Sequence, residues 1–146
     1  MPTAYHSFVF DTNLEMKDAG LVAASAAATV DSAAKILDLG TGLVIGMVVA
    51  DVTAIEVATG NEVYEIEWQL SSDSDFGTAG NIRCAAELKL GDSSVNGSGA
   101  DSAAARYLLP VHNEFAGTLY RYARLYTRIA GTIATGINYS AFLAPA

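Results

Sequence analysis

The chain holds one cysteine, three prolines, two histidines and only eight basic residues in a length of 146. Each scarcity closes a class of explanation. A single thiol, Cys84, forms no internal disulfide, so no covalent staple is available and a reducing compartment suits the protein. Cys84 alternates with Ile82, Ala86 and Leu88, a pattern that predicts a small core residue. His6 and His112 stand far apart, without cysteines or acids at ligand spacing, so no zinc site is argued. Neither histidine has a nucleophile partner in sequence, and no Gly-x-Ser-x-Gly elbow is present. The eight basic residues face sixteen acidic ones, a net charge of -8, and such a field repels phosphate backbones and anionic lipid. Nucleic acid and membrane surfaces are therefore not expected partners. The longest uncharged runs, 19–30 and 39–50, are twelve residues each and lack the flanks of a signal peptide, so neither a membrane span nor export is predicted.

What is abundant is apolar side chain. Hydrophobic residues make up 51% of the chain and charged ones 16%, against about 25% in ordinary soluble domains. A surface so poor in charge predicts that something covers part of it. The length suits a single domain, 1–146, able to bury roughly 68–70% of its unfolded surface without metal or disulfide.

The periodicity is that of strands. In "VYEIEWQL", 63–70, Tyr64, Ile66, Trp68 and Leu70 alternate with Glu65, Glu67 and Gln69, which predicts a strand with the first set inward. Residues 47–57 are dense in β-branched side chains, and Gly60-Asn61 predicts a hairpin joining them to that strand. Residues 82–90 alternate again, 107–111 form a short extended piece ending near Pro110, and Ile137, Tyr139 and Ala141 point inward from a last strand. The alanine-rich "LVAASAAATV" is read as extended, because it ends in Thr-Val. Residues 1–20 are expected as an extended N-terminal arm whose Tyr5, Phe8 and Phe10 reach a neighbour. The small-residue stretch 91–104 is expected as a flexible or partner-ordered loop. Strands without βα alternation predict an all-β domain, a β-sandwich or jelly roll.

One segment stands out, "YRYARLYTRIAGT" at 120–132, where Arg121, Arg124 and Arg128 are threaded among tyrosines. On a helix, Tyr122, Leu125, Tyr126 and Ile129 would share a face; on a strand, Ala123, Leu125, Thr127 and Ile129 turn inward while Tyr122, Arg124, Tyr126 and Arg128 turn out. The strand is expected, since tyrosine, threonine and isoleucine favour pleated surfaces and no helix cap is present. Outward arginines can simply balance acids across a sheet. Yet tyrosine and arginine are also the residue types enriched at the energetic centres of protein interfaces, which makes Tyr122, Arg124, Tyr126 and Arg128 the predicted contact face.

Other motifs carry less. "ILDLGTG", 36–42, resembles the first motif of S-adenosylmethionine-dependent methyltransferases, but Val44 stands where a third glycine is expected and no helix pattern follows; a strand ending in a glycine turn is the better reading. Asp73 and Asp75 suggest a calcium loop, yet the glycine comes one place early and the terminal glutamate is missing, so an aspartate-rich turn bonding its own backbone is expected. Glu65 and Glu67 have the spacing of a glycosidase pair, although alternation alone places them on a polar strand face. No catalytic residue, cofactor or metal is therefore predicted.

Taken together, "SFVFDTNLEM", "ILDLGTG", "EWQLSSDSDFGTAG" and "RYLLPVHNEFAGTLYRYARLYTRIAGTIATGINYSAFL" resemble the capsid cement proteins of tailed bacteriophages, in particular the small jelly-roll decoration proteins of podovirus-type heads. The likeness runs over residues 7–143, and the 91–104 loop departs from it. The resemblance implies a non-enzymatic homotrimer on the capsid exterior, assembled in the host cytoplasm, that clamps copies of the major capsid protein. The alternative expectation is a carbohydrate- or receptor-binding jelly roll of a tail or baseplate. That reading needs an exposed aromatic platform, and the alternation puts Trp68, the only tryptophan, in the core.

Overall fold

A computed structural model describes residues 10–146, and its strands form two antiparallel sheets with one core between them. The first sheet contains β1 (Glu15–Val22), β6 (Ile45–Ile55), β9 (Ala105–His112) and β13 (Ile137–Pro145), in the order β1-β13-β6-β9. The second is built on β7 (Val63–Ser71), β8 (Arg83–Gly91) and β12 (Tyr122–Ala130). At its far edge the two-residue strands β2 (Ala26–Ala27) and β5 (Leu37–Asp38) both pair with β12. Two small ribbons, β3 (Thr29–Val30) with β4 (Ala33–Ala34) and β10 (Glu114–Phe115) with β11 (Thr118–Leu119), lie outside these sheets. This is an all-β sandwich, as the strand periodicity predicts.

The core follows from alternation. Tyr64, Ile66, Trp68 and Leu70 of β7 and Ala123 and Leu125 of β12 are all buried, and they meet Val48, Ala50 and Val52 of β6 and Ile137, Tyr139, Ala141 and Leu143 of β13. Polar atoms carried into this layer find partners: Trp68 Nε1 donates to the His112 carbonyl at 3.0 Å, Tyr64 Oη to the Glu56 carbonyl at 2.9 Å, and the Thr127 and Tyr139 hydroxyls bond each other. Burial pushes the Tyr64 and Tyr139 phenols up to about 12, so both stay protonated at neutral pH. Pro110 sits in β9, an edge strand, where a missing N–H is tolerated.

Four expectations are corrected. The Gly60-Asn61 turn does not close a hairpin, because β6 and β7 belong to different sheets. Both flanks of β6 are already taken, by β13 and β9, and the turn instead wraps its own acid: Glu62, with no exposed surface, accepts from the N–H groups of Thr59 (2.6 Å), Gly60 (3.1 Å) and Asn61 (3.2 Å). Cys84 is exposed, not core. A bulge shifts the β7–β8 register between Trp68 and Gln69, so Ala86 pairs with Trp68 but Cys84 with Gln69, and the alternation changes face. The arm cannot extend to residue 20, since Glu15–Val22 is β1, hydrogen-bonded along β13 with Met16 and Lys17 buried. Lys17 shows why the pattern was hidden: irregular register on both sides turns it inward, where Nζ donates to the carbonyls of Asp18 (3.0 Å), Gly20 (3.1 Å) and Tyr139 (2.8 Å) and lies 4.4 Å from the Tyr139 ring centre. Finally, the 91–104 segment is held by its own bonds. It opens with a short helix, α1 (Ser93–Asn96), capped by Asp92, and the Asn96 amide donates to the Gly91 carbonyl (2.9 Å), the Ala100 carbonyl (2.8 Å) and the Ser102 hydroxyl (3.3 Å).

The carboxylate-wrapped turns make the fold acid-sensitive. Glu56 accepts from the N–H groups of Ala134 (2.9 Å), Thr135 (2.8 Å) and Gly136 (3.0 Å), and these bonds, led by Thr135 and Gly136, hold its carboxyl below the ordinary range. Burial pushes Glu62 upward, but the Thr59 and Gly60 N–H groups pull it further down. Because both carboxyls are depressed in the folded state, their stabilisation is complete above the unfolded value of about 4.3 and drains away as pH falls through the folded values. Thermal melts between neutral pH and pH 3 are expected to show a falling Tm. Glu62→Gln is expected to be less stable at neutral pH and to flatten that acid slope.

Candidate protein-interaction face

The outer face of the second sheet is set by strict register. Residues 122–130 of β12 run antiparallel to 71–63 of β7 without a break, and β7 pairs with β8 on its other side. Inward go Ala123, Leu125 and Thr127, all buried; outward go Tyr122, Arg124 and Tyr126, half-buried, and Arg128, exposed. The predicted orientation of the four site residues is therefore the observed one.

Across the face each outward group of β12 meets a polar group of β7. Arg124 opposes Gln69 and its Nε donates to the amide oxygen at 2.8 Å; Arg128 forks onto Glu67, Nε to Oε2 at 2.9 Å and Nη2 to Oε1 at 3.3 Å. Glu67 also receives the Gln69 amide at 2.8 Å. Burial raises the Glu67 carboxyl, while Arg128 and Gln69 together bring it below its usual range. Arg121, just before the strand, forks onto Asp38 of β5 at 2.7 and 2.8 Å, and this bond with the Gly40 N–H takes the Asp38 carboxyl to about 2. The guanidinium of Arg128 lies 5.3 Å from the Tyr126 ring centre and that of Arg121 5.5 Å from Tyr122. Thus the bland reading of the arginines, charge balance across a sheet, is true of Arg121 and Arg128.

Arg124 is different. Its partner is a neutral amide, its Nη groups have no acceptor among the described residues, and its guanidinium lies 4.5 Å from the Phe76 ring and 5.5 Å from the Tyr126 ring. Burial pushes its pKa down. Phe76 was missed by sequence reasoning: it sits in the 72–82 turn at φ 54, buried against this face. The aspartates of that turn bond their own backbone as expected, Asp75 accepting from the Gly77 N–H and Asp73 from the Thr78 N–H and the Asn81 amide.

The pairs differ in how deeply their acids are buried. Arg128→Ala leaves Glu67, with a side chain only 6% exposed, without its cation, and a loss of about 1–2 kcal/mol is expected in chemical denaturation. Arg121→Ala, at a pair half-exposed on both sides, is expected to melt like the unaltered protein.

The remaining predicted contacts are divided. Tyr5 and Phe8 lie outside the described residues. Phe10 is 53% exposed and packs edge-on against Phe142, ring centres 5.4 Å apart, on the outer face of the first sheet. That face carries Met47, Val49, Phe142 and Ala144 as a second apolar cluster, beside exposed Ile45 and Leu108.

Two further features were not read from the sequence. The bulge carries Cys84 beside Glu67 and Glu87, one ligand atom of each lying within 4.8 Å of the others, but Glu67 is already engaged by Arg128 and Gln69. A groove of about 450 Å³ opens between β1 and the alanine-rich β2–β4 region, and the Nζ of its one lysine, Lys17, is held by three carbonyls. Among the described residues no helix is long and apolar enough to cross a membrane.

These features define a small β-sandwich with an arginine–tyrosine face. Compared with known proteins, the chain matches no family model and no curated protein sequence.

Proposed function

We propose that the protein is a structural component of a phage virion, a cement protein that binds the outside of a capsid and reinforces it by bridging major capsid protein subunits. The observation that supports this best is the outer face of β12, where Tyr122, Arg124 and Tyr126 present rigid aromatic and guanidinium surface, with Arg124 lacking a counter-ion among the described residues. Such a face suits contact with protein, at a neighbouring subunit or at the capsid. The resemblance to jelly-roll decoration proteins adds the capsid as the partner and a homotrimer as the unit. No catalysis is needed. Many modest contacts repeated over a shell add to a large resistance to internal pressure. The net charge of -8 keeps free protein soluble and away from packaged DNA.

The test is co-sedimentation with heads assembled from the major capsid protein encoded in the same genome. Saturable binding to expanded heads is expected, and Arg124→Ala combined with Tyr126→Ala is expected to weaken it at least tenfold while the melting curve stays cooperative. Absence of binding by the unaltered protein would overturn the reading.

A further inference from the structure

On the same face as Arg124 lies an excess of negative charge. Glu87 of β8 stands directly opposite Glu67, one row from Glu65 of β7, and none of the three ion pairs among the described residues includes Glu65 or Glu87. The adjacent Glu65 side chain, reinforced by burial, holds the Glu87 carboxyl above its usual range. Two neighbouring carboxyls outside any ion pair among the described residues are acceptors for a further cation. Lys89 and Arg128 both stand across from Glu65, on β8 and β12, but neither forms an ion pair with Glu65 or Glu87.

The face therefore bears one guanidinium lacking an acid and a pair of acids lacking a guanidinium. β12 and β8 flank β7, and Arg124 lies level with Gln69 and Glu87 with Glu67, so two strand spacings and a two-residue offset separate them by roughly 12 Å. A surface of that kind is complementary to itself. Tyr122 and Tyr126, half-buried on the same strand as Arg124, supply contact area around the charges.

We infer that this face pairs with the same face of a second copy of the chain, the Arg124 guanidinium of each copy entering the Glu65–Glu87 carboxyl pair of the other. The inference rests on the reading of this face as a protein contact and names its occupant. Because both charges lie on one patch, the contact is two-fold. Within a trimeric assembly it joins one trimer to the next. Exclusion of water on pairing strengthens the charge-assisted bonds.

Sedimentation velocity on the free, full-length chain tests this without heads, so its result is independent of capsid binding. The unaltered protein is expected to sediment as a larger species than Arg124→Glu or Glu87→Arg, each of which is expected to weaken association at least tenfold with unchanged circular dichroism. The double charge swap, Arg124→Glu with Glu87→Arg, is expected to restore association to within a few-fold. Arg124→Gln, the milder variant, is expected to fall between. Should the unaltered protein sediment as a 15.2 kDa monomer at every concentration, should the single reversals sediment as it does, or should the swap fail to rescue them, the inference is overturned.

Discussion

Trp68→Ala is expected to lower stability by about 3–5 kcal/mol, a large share of the roughly 5–15 kcal/mol available to a domain. The side chain is 1% exposed at the centre of β7, so truncation opens a void between the sheets instead of admitting water. It also removes the indole donor from the His112 carbonyl, 3.0 Å away on the opposite sheet. For a domain of this size the Tm is expected to fall by roughly 6–20 °C. Trp68→Phe separates the two contributions: it keeps most of the ring volume and loses the bond, with an expected cost of about 1–3 kcal/mol. A melt that is unchanged in Trp68→Ala would mean that the sheets do not close over this residue.

Gly136→Ala has the next largest expected effect. Gly136 adopts φ +97, and an added Cβ would stand 2.1 Å from the Val22 carbonyl oxygen and 2.9 Å from Ala23 Cα, both backbone atoms that cannot swing aside. The turn is pinned from both directions, since Gly136 donates to the Glu56 carboxylate at 3.0 Å and its carbonyl accepts from the Glu56 N–H at 3.0 Å. Relief would have to come from the end of β1, where Val22 pairs with Ile137. Backbone strain of about 1–3 kcal/mol and a similar overpacking cost predict a loss of roughly 2–6 kcal/mol in urea unfolding. Gly117→Ala serves as the control. It shares the left-handed conformation, at φ +82, but meets nothing within 4 Å, so only the conformational cost of about 1–2 kcal/mol is expected. Equal losses in the two variants would show that the Val22 approach is not as close as described.

How far the sequence reaches is visible in β7 and β12. Both are central in their sheet, flanked on each side, and their two-residue alternation passes unbroken from Tyr64 to Leu70 and from Ala123 to Thr127. Where pairing is regular, parity alone assigns each side chain to a face. Legibility fails where pairing is irregular. Cys84 is displaced by a bulge, Lys17 is turned inward by two register shifts, and Gly60-Asn61 has good hairpin chemistry but connects strands of different sheets. Each depends on which strand lies alongside, a long-range fact that a local pattern does not contain. The same holds for the site. That Arg124 and Arg128 turn outward follows from parity, but the partners depend on the β12–β7 register, which sets Gln69 opposite Arg124 and Glu65 opposite Arg128, with Glu67 one step along, onto which Arg128 forks. Phe76 reaches the face through an irregular turn that has no period.

The central claim, that the Tyr122–Arg128 face meets another polypeptide on a capsid exterior, is tested most directly by an electron cryomicroscopy reconstruction of heads saturated with the protein. The account predicts added density outside the shell, with Tyr122, Arg124, Tyr126 and Arg128 of each sandwich against a neighbouring chain. Heads that take up no protein, or bound sandwiches whose four side chains face bulk solvent, would contradict it.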